Sequence, residues 1–140
     1  MANKFDLLAS NWDQKSTRVE IAKTFVNTVK EKISKMKEFD LLDYGCGTGL
    51  VSFGFVDDVK NITGMDFSEG MLEVYSKKIK EYNLNNVKCA KHNINDNHLP
   101  QNSFDLIVTS MTLHHIKDTN DFISKANIAL KSNEIGRAHV

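Results

Sequence analysis

Three glycines stand at alternate positions in the sequence LLDYGCGTGL, which spans residues 41–50. Gly45, Gly47 and Gly49 have no Cβ atom, so the backbone there can approach a bound molecule closely. A short helix is predicted to open directly after them, over residues 50–56, and the first N–H groups of a helix favour negatively charged ligands. These residue types at this spacing predict a site for a nucleotide-type ligand.

Two acidic residues accompany the glycines. Asp43 precedes Gly45 by two positions, and Asp66 closes a second apolar run over residues 61–67. An acid about 20 residues after such glycines can accept hydrogen bonds from both hydroxyl groups of a ribose. Enzymes that bind different nucleotide cofactors share this acid, so Asp66 alone does not identify the ligand.

The apolar pattern predicts alternating strands and helices. Strands are predicted over residues 39–45, 61–67, 87–92 and 104–111, and helices over residues 13–37 and 50–56, from Ser68, and from Asp118 or Thr119. The periodicity also places Tyr82 and Ile123 on the buried faces of the last two helices. Strands that alternate with helices indicate an α/β fold with a parallel sheet, whose ligands bind outside the carboxyl ends of the strands.

The spacing of the glycines separates two cofactor classes. The dinucleotide fingerprint is G-x-G-x-x-G, whereas this chain has G-x-G-x-G, with Leu50 at the position of the last fingerprint glycine. The stretch LDYGCGTG instead resembles motif I of the class I S-adenosylmethionine-dependent methyltransferases, and further motifs agree in order from Phe5 to about Leu130. The resemblance implies a Rossmann-like α/β sheet with helices on both faces, of which this chain supplies four strands in the order 3-2-1-4. It also implies S-adenosyl-L-methionine as the cofactor. The alternatives are an NAD(P)-binding Rossmann reductase and an inactive fragment or non-catalytic binding module.

The resemblance further implies which residues bind the cofactor. Asp66 would hold the ribose, and Asn93 would accept a hydrogen bond from the adenine amino group, at a position where the family usually has an acid. An asparagine oxygen can accept that bond, and Asp96 is an alternative. For Met71, ordinary core packing is an equally good interpretation. The expected cofactor-binding residues are Asp43, Gly45, Cys46, Gly47, Gly49, Asp66, Phe67, Met71, Asn93, Ile94, Ser110, Trp12 and Arg18.

The N-terminal stretch FDLLASNWDQKSTR, residues 5–18, resembles the segment that folds over the cofactor as a lid in this family. We therefore expect residues 1–37 to form a lid and helical segment. Trp12 would lie in this lid, or it would only anchor the segment by packing on the sheet. The guanidinium of Arg18 suits a carboxylate, because it is planar and can donate two parallel hydrogen bonds.

Methyl transfer from this cofactor makes few demands on a protein. The methyl group is electrophilic because it is bound to a sulfonium, so the protein has to align the acceptor and exclude water. A base is needed only if the acceptor must lose a proton. His114 and His115 follow the fourth strand and are the candidate bases, because histidine titrates near neutral pH. Alternatively, one of them only hydrogen-bonds its loop. The sequence has no C-x-x-C or H-x-x-x-H pair, and no metal is expected.

Composition argues against several partners. Lysine plus arginine and aspartate plus glutamate both number 18, so no net charge attracts nucleic acid or an anionic membrane. No apolar run approaches the roughly 18 residues of a membrane span, and the N-terminus lacks the apolar centre of a signal peptide. We expect a cytoplasmic, bacterial protein that acts on a small-molecule methyl acceptor, with an oligomeric state that stays open.

The end of the chain departs from the rest. The last seven residues, EIGRAHV, break the preceding helical pattern and match what a common sequencing-adapter sequence would encode in frame. We interpret residues 134–140 as a non-native tail and residues 38–133 as an incomplete cofactor-binding domain. Family members continue with a fifth strand, so we expect the edge of the fourth strand to be unpaired in this chain.

Overall fold

The computed structural model of the chain describes residues 8–95, 97–110 and 118–131, and the backbone of residues 137–139. Within these residues, strands and helices alternate in an α/β fold. The strands are β1 (Asp40–Tyr44), β2 (Asn61–Asp66), β3 (Val87–Lys91), β4 (Leu106–Thr109) and β5 (Arg137–His139). The α-helices are α1 (Ser16–Lys32), α2 (Glu69–Glu81) and α3 (Thr119–Ala129), and 3₁₀ helices span Ala9–Gln14 and Ser52–Phe55.

All strand pairs are parallel, and the strands lie in the order β3-β2-β1-β4-β5. The predicted order 3-2-1-4 is confirmed. In register, Asp43 of β1 lies between Gly64 of β2 and Val108 of β4. Because the strands run in the same direction, the residues that follow β1, β2, β3 and β4 lie at one edge of the sheet, which we call the carboxyl edge.

Helices cover both faces of the sheet. Leu41 points to the face covered by α1 and α2, where Val26 and Tyr75 belong to the same core cluster. Leu42, one residue later, points to the opposite face, where Phe122 of α3 packs. Both leucines are fully buried, as expected for a central strand of a parallel sheet, and the burial of each contributes about 2 kcal/mol.

The single helix predicted over residues 13–37 is two helices. Lys15 has extended backbone angles between the first 3₁₀ helix and α1. Helix α1 ends at Lys32 because Ile33 is extended, and a hydrogen bond from Phe39 N–H to the Met36 carbonyl turns the chain into β1. Met36 and Phe39 are buried in the core by this turn. The prediction is wrong at both ends because apolar periodicity continues through residues that reach the core in another way.

Two side chains that were predicted to be buried are exposed. Tyr82 is 62% exposed because α2 ends just before it, so its side chain no longer follows the helical period. Ile123 is 45% exposed because Phe122, Ala126 and Ala129 form the buried stripe of α3. The position next to a buried one on a helix is rotated away by about 100°. Both predictions are therefore wrong.

The sheet has one strand more than predicted. Residues 137–139 form β5, which pairs in parallel with Leu106, Ile107 and Val108 of β4. The expectation of an unpaired β4 edge is wrong over these residues. The backbone groups at a strand edge can pair with any short extended segment, so no apolar pattern over residues 137–139 was needed to form a strand there.

An ionic cluster joins the amino ends of β1 and β4. The Asp105 Oδ2 accepts hydrogen bonds from the Asp40 N–H at 2.8 Å and from the Lys131 Nζ at 3.0 Å. Lys131 also donates to the Asp40 Oδ2 at 3.0 Å, and these bonds raise the pKa of Lys131. The cluster fixes the relative positions of two strands whose opposite ends lie at the carboxyl edge.

Candidate functional site

The end of β1 leads into the glycine turn, residues 45–49. The three glycines of the turn have positive φ angles, 72° at Gly45, 55° at Gly47 and 95° at Gly49. A residue with a Cβ atom is strained at such angles. The N–H groups of Gly45 and Cys46 both donate to the carbonyl oxygen of Met65, at 2.7 and 3.0 Å. The turn therefore bends across the end of β2 as soon as β1 ends.

Two of these glycines have different surroundings. A Cβ atom on Gly49 would lie 2.3 Å from the ring of Phe53 and 3.0 Å from the ring of Tyr75, so packing requires this glycine. Among the described residues, a Cβ atom on Gly47 would meet only the sulfur of Met71, at 3.8 Å. The backbone of Gly47 therefore has room beside it for a close approach by a ligand.

Asp66 joins the glycine turn to the start of α2. Its Oδ2 accepts a hydrogen bond from the Gly47 N–H at 2.8 Å, and its Oδ1 accepts one from the Ser68 N–H at 2.9 Å. These bonds fix the orientation of the carboxylate. Each carboxylate oxygen can accept more than one hydrogen bond, so hydroxyl groups of a ligand can add to the two backbone donors. The structure brings Asp66 to the glycines, and ribose binding by Asp66 stays a prediction.

Phe67 and Met71 lie at the same junction. Ser68 caps α2 by accepting a hydrogen bond from the Met71 N–H at 3.2 Å, which confirms the predicted start of the helix. Met71 is buried, with its sulfur towards the glycine turn. Phe67 is 53% exposed, and the Lys91 Nζ lies 5.2 Å from its ring centroid. An exposed aromatic ring at this edge can stack on the flat face of a nucleobase.

Asp43 and Cys46 lie behind the turn. Asp43 is buried, and its Oδ2 accepts a hydrogen bond from the Ser52 hydroxyl at 2.6 Å. Burial raises the pKa of Asp43 to about 6, and the charge of Asp66 adds to the shift, while the Ser52 bond opposes it. The Cys46 side chain belongs to the core, where burial raises the pKa of the thiol. Any contact of Cys46 with a ligand would therefore be through its backbone.

The loop after β3 is held from two sides. The His92 ring lies between the Tyr44 hydroxyl, 3.0 Å from Nδ1, and the His98 carbonyl oxygen, 3.0 Å from Nε2. Because a carbonyl can only accept, Nε2 of the neutral ring donates to His98, and Nδ1 accepts from Tyr44. On the other side, the Lys125 Nζ donates to the Ile94 carbonyl oxygen at 2.6 Å. These contacts fix a loop that follows directly from the carboxyl edge. Sequence reasoning gave neither His92 nor Lys125 a part in holding this loop.

Asn93 and Ile94 belong to this loop. The Asn93 side-chain oxygen accepts a hydrogen bond from the Asn95 N–H at 3.1 Å, which closes a turn within the loop. Ile94 is buried in the core on the α3 face. Ser110 follows β4 and is half-buried, and Asp96 lies outside the described residues. Contacts of these residues with a cofactor stay predictions.

The 3₁₀ helix Ala9–Gln14, which we call the N-terminal segment, lies beside the glycine turn. The Asp13 carboxylate accepts a hydrogen bond from the Thr48 hydroxyl at 2.5 Å and forms an ion pair with Lys78 of α2. Sequence reasoning placed Asp13 in the expected lid and Lys78 on a solvated helix face, but it did not relate either residue to Thr48. The one available signal is a polar side chain, Thr48, between two glycines of a turn that follows a buried strand.

Trp12 and Arg18 contact each other. The Arg18 Cζ lies 3.5 Å from the centroid of the Trp12 ring, and both side chains are half-buried. Their predicted contacts with the cofactor stay predictions. The two candidate bases, His114 and His115, lie outside the described residues.

The Asp66 carboxylate is a hydrogen-bond acceptor at the carboxyl edge, and it suits a ligand with hydroxyl groups. Among the described residues, no group of three or more histidines, cysteines, aspartates or glutamates is placed to hold a metal ion. No helix in the same part of the chain combines the length and apolarity needed to cross a membrane.

Comparison with known proteins places these features in context. A family model described as a methyltransferase domain matches residues 41–133. An uncharacterized methyltransferase of Schizosaccharomyces pombe is 33% identical over 106 residues, which are 71% of this chain and 37% of that protein. The demethylmenaquinone methyltransferase of Listeria welshimeri is 31% identical over 120 residues, 81% of this chain and 50% of that protein. The chain thus spans half or less of the length of these two relatives.

A solved structure supports the same fold. It is that of a Methanococcus maripaludis protein assigned to the S-adenosyl-L-methionine-dependent methyltransferases. The TM-score is 0.81 at 23% sequence identity, and the match covers 94% of this chain and 62% of that one.

Proposed function

Since the chain belongs to the family of class I S-adenosylmethionine-dependent methyltransferases, we propose that it binds S-adenosyl-L-methionine at the carboxyl ends of β1 and β2 and serves methyl transfer to a small molecule. The observation that supports this most directly is the hydrogen bond between the Asp66 carboxylate and the Gly47 N–H. It sets an acid that can hold a ribose against the backbone of a glycine, which has no side chain to block a ligand.

The residues at the carboxyl edge fit this cofactor. The space that a Cβ atom of Gly47 would take is the space that an adenosyl group needs to approach the turn. Asp66 would hold the ribose hydroxyls, and Phe67 would pack near the adenine. The cofactor supplies a methyl group bound to a positively charged sulfur. The chain itself contributes binding, orientation and the exclusion of water.

Two neighbouring segments would complete the enclosure. The N-terminal segment lies beside the glycine turn through Asp13, where it can cover a bound cofactor. The loop after β3, held by His92 and Lys125, would present Asn93 to the adenine. A closed site of this kind favours methyl transfer because it keeps water from the reacting groups.

We propose a small-molecule acceptor and a cytoplasmic location. Acidic and basic residues balance at 18 each, so no net charge favours nucleic acid or an anionic membrane. The Listeria relative is named for demethylmenaquinone, which makes this compound the first acceptor to test. If the acceptor must lose a proton, His114 and His115 after β4 are the proposed bases. Release of S-adenosylhomocysteine in the presence of a panel of acceptors would measure the activity.

Calorimetric titration tests the cofactor. We expect S-adenosylhomocysteine to bind and NADH to give only the heat of dilution. The Asp66→Asn variant should bind S-adenosylhomocysteine about tenfold more weakly, because hydrogen bonds to a charged group contribute about 1.5–3 kcal/mol each. The Asp58→Asn variant breaks a remote ion pair with Lys30, 2.8 Å long, and should bind as the wild type does. Binding of NADH in place of S-adenosylhomocysteine would contradict the proposal.

A further inference from the structure

Three elements meet at the carboxylate of Asp13. The carboxylate belongs to the N-terminal segment, the hydroxyl of Thr48 belongs to the glycine turn, and the ammonium group of Lys78 belongs to α2. We call these three side chains the latch. Lys78 is itself well packed, with its Nζ 5.6 Å from the centroid of the Phe53 ring. That ring is also the one that a Cβ atom on Gly49 would strike.

Thr48 lies between Gly47 and Gly49 in the glycine turn. Thr48 is 1% exposed, so water does not reach its hydroxyl while the N-terminal segment is in place. A buried hydroxyl without a partner is costly, and a bond from a hydroxyl to a carboxylate is among the stronger hydrogen bonds in proteins. The position of the segment and the shape of the turn therefore stabilise each other.

We propose that Asp13 is a positioning residue for the cofactor site. Through Thr48 it holds the glycine turn in its binding shape, and through Lys78 it holds the N-terminal segment over the turn. The inference rests on the proposed function, since it concerns how firmly the same site binds its cofactor. Cofactor binding and closure of the segment are then coupled, and each favours the other by the same factor.

The charges support this assignment. The Asp13 side chain is 33% exposed and that of Lys78 is 17% exposed, so the ion pair lies at the boundary between solvent and core. Lys78 neutralises the carboxylate there, which lowers the cost of removing it from water when it accepts the Thr48 bond. When the segment leaves, Asp13 and Lys78 can be hydrated, and the Thr48 hydroxyl in the turn loses its carboxylate acceptor. The cost of opening thus falls on the turn that the cofactor uses.

The test compares three variants of the whole chain. Thr48→Val removes the hydroxyl at nearly constant shape, and Thr48→Ser keeps the hydroxyl and loses a methyl group. Asp13→Asn keeps an acceptor for Thr48 and loses the charge that pairs with Lys78. Asp58→Asn, which breaks the remote ion pair with Lys30, is the matched control. S-adenosylhomocysteine affinity is measured by calorimetry, and stability is measured separately by thermal unfolding.

Trp12 provides a second readout that a purely structural role would not change. It is the single tryptophan of the chain, and it lies next to Asp13 in the N-terminal segment. Its fluorescence and its quenching by acrylamide therefore report the position of that segment alone. We expect S-adenosylhomocysteine to protect Trp12 from quenching in the wild type and in Thr48→Ser, and to give little protection in Thr48→Val.

The expected affinities follow from the strength of a hydrogen bond to a charged group. Thr48→Val should bind S-adenosylhomocysteine about tenfold more weakly than the wild type, and Asp13→Asn about threefold more weakly. Thr48→Ser and Asp58→Asn should stay within about twofold of the wild type. If the wild type binds and Thr48→Val matches it in affinity and in Trp12 protection, the latch is overturned while the proposed function stands. A wild type that does not bind overturns the proposed function first, and the positioning role with it.

Discussion

Alanine at Gly47 should mainly weaken cofactor binding, whereas alanine at Gly49 should mainly lower the stability of the fold. Both residues have positive φ angles, 55° and 95°. At Gly47 the angle lies in the left-handed helical region and the nearest heavy atom to a new Cβ is 3.8 Å away. At Gly49 the angle lies outside that region, and a new Cβ atom would lie 2.3 Å from Phe53 and 3.0 Å from the buried Tyr75.

The expected magnitudes follow from these surroundings. Gly47→Ala should lower the free energy of unfolding by about 1 kcal/mol, the cost of placing an alanine in the left-handed region. Gly49→Ala adds the strain of a rarer backbone conformation to the overpacking of Phe53 against Tyr75. Each of these effects costs roughly 1–3 kcal/mol, so a loss on the order of 4 kcal/mol is expected. That is a large share of the total stability of a domain, about 5–15 kcal/mol.

Under conditions where the variants are folded, Gly47→Ala should lose more affinity than Gly49→Ala. The Cβ atom of Gly47→Ala projects into space that the cofactor is proposed to use, so S-adenosylhomocysteine should bind at least about tenfold more weakly. Gly54→Ala is the matched control. A Cβ atom there would lie 2.9 Å from Val26 of α1, away from the carboxyl edge, so this variant should lose stability and keep its affinity.

Urea unfolding gives the stabilities, and calorimetry under folding conditions gives the affinities. If Gly47→Ala binds like the wild type, the cofactor does not approach the open side of Gly47. If Gly49→Ala is as stable as Gly47→Ala, the packing of Phe53 and Tyr75 does not require a glycine.

Three further predictions concern the supports of the site. Because burial raises the pKa of Asp43 from 3.8 to about 6, the folded protein keeps a proton that the unfolded chain releases, and the free energy of unfolding falls as the pH rises through this interval. Asp43→Asn, which still accepts the Ser52 bond, should remove about 3 kcal/mol of that fall between about pH 4 and pH 7, and equal pH slopes in urea unfolding would contradict this. Asp105→Ala leaves the Asp40 N–H without its buried acceptor, while Lys131 keeps its bond to the Asp40 carboxylate. It should lower the free energy of unfolding by about 1–3 kcal/mol at unchanged S-adenosylhomocysteine affinity. A parallel loss of affinity would show that this cluster acts on the site. His92→Phe removes the two ring hydrogen bonds of His92 and leaves the Lys125 bond to the same loop. Hydrogen exchange in that loop should accelerate about fivefold or more, and unchanged exchange would contradict the role of His92.

The sheet and the glycine turn could be predicted because their signals are local. The run that contains Leu41 and Leu42 is apolar at successive positions, as a strand buried on both faces must be. The turn follows it directly, and Ser68 marks the start of α2 by its residue type. Each of these features depends on a few neighbouring residues, so a short stretch of sequence is enough to predict it.

The contacts that shape the site could not be predicted in the same way. Asp13, Thr48 and Lys78 are far apart in the sequence, and no periodicity relates them. They meet because the N-terminal segment folds back across the turn and α2. The prediction that Tyr82 is buried was wrong for a related reason, because helical periodicity does not indicate where a helix ends.

The position of the cofactor on the chain can be measured by NMR with glycine labelled by a heavy nitrogen isotope. The chain has seven glycines, and their N–H signals can be assigned by single substitutions. We expect S-adenosylhomocysteine to shift the signals of Gly45, Gly47 and Gly49 and to leave that of Gly54 in place. Saturating binding that leaves the signals of these three glycines unshifted would show that the cofactor does not bind at the glycine turn.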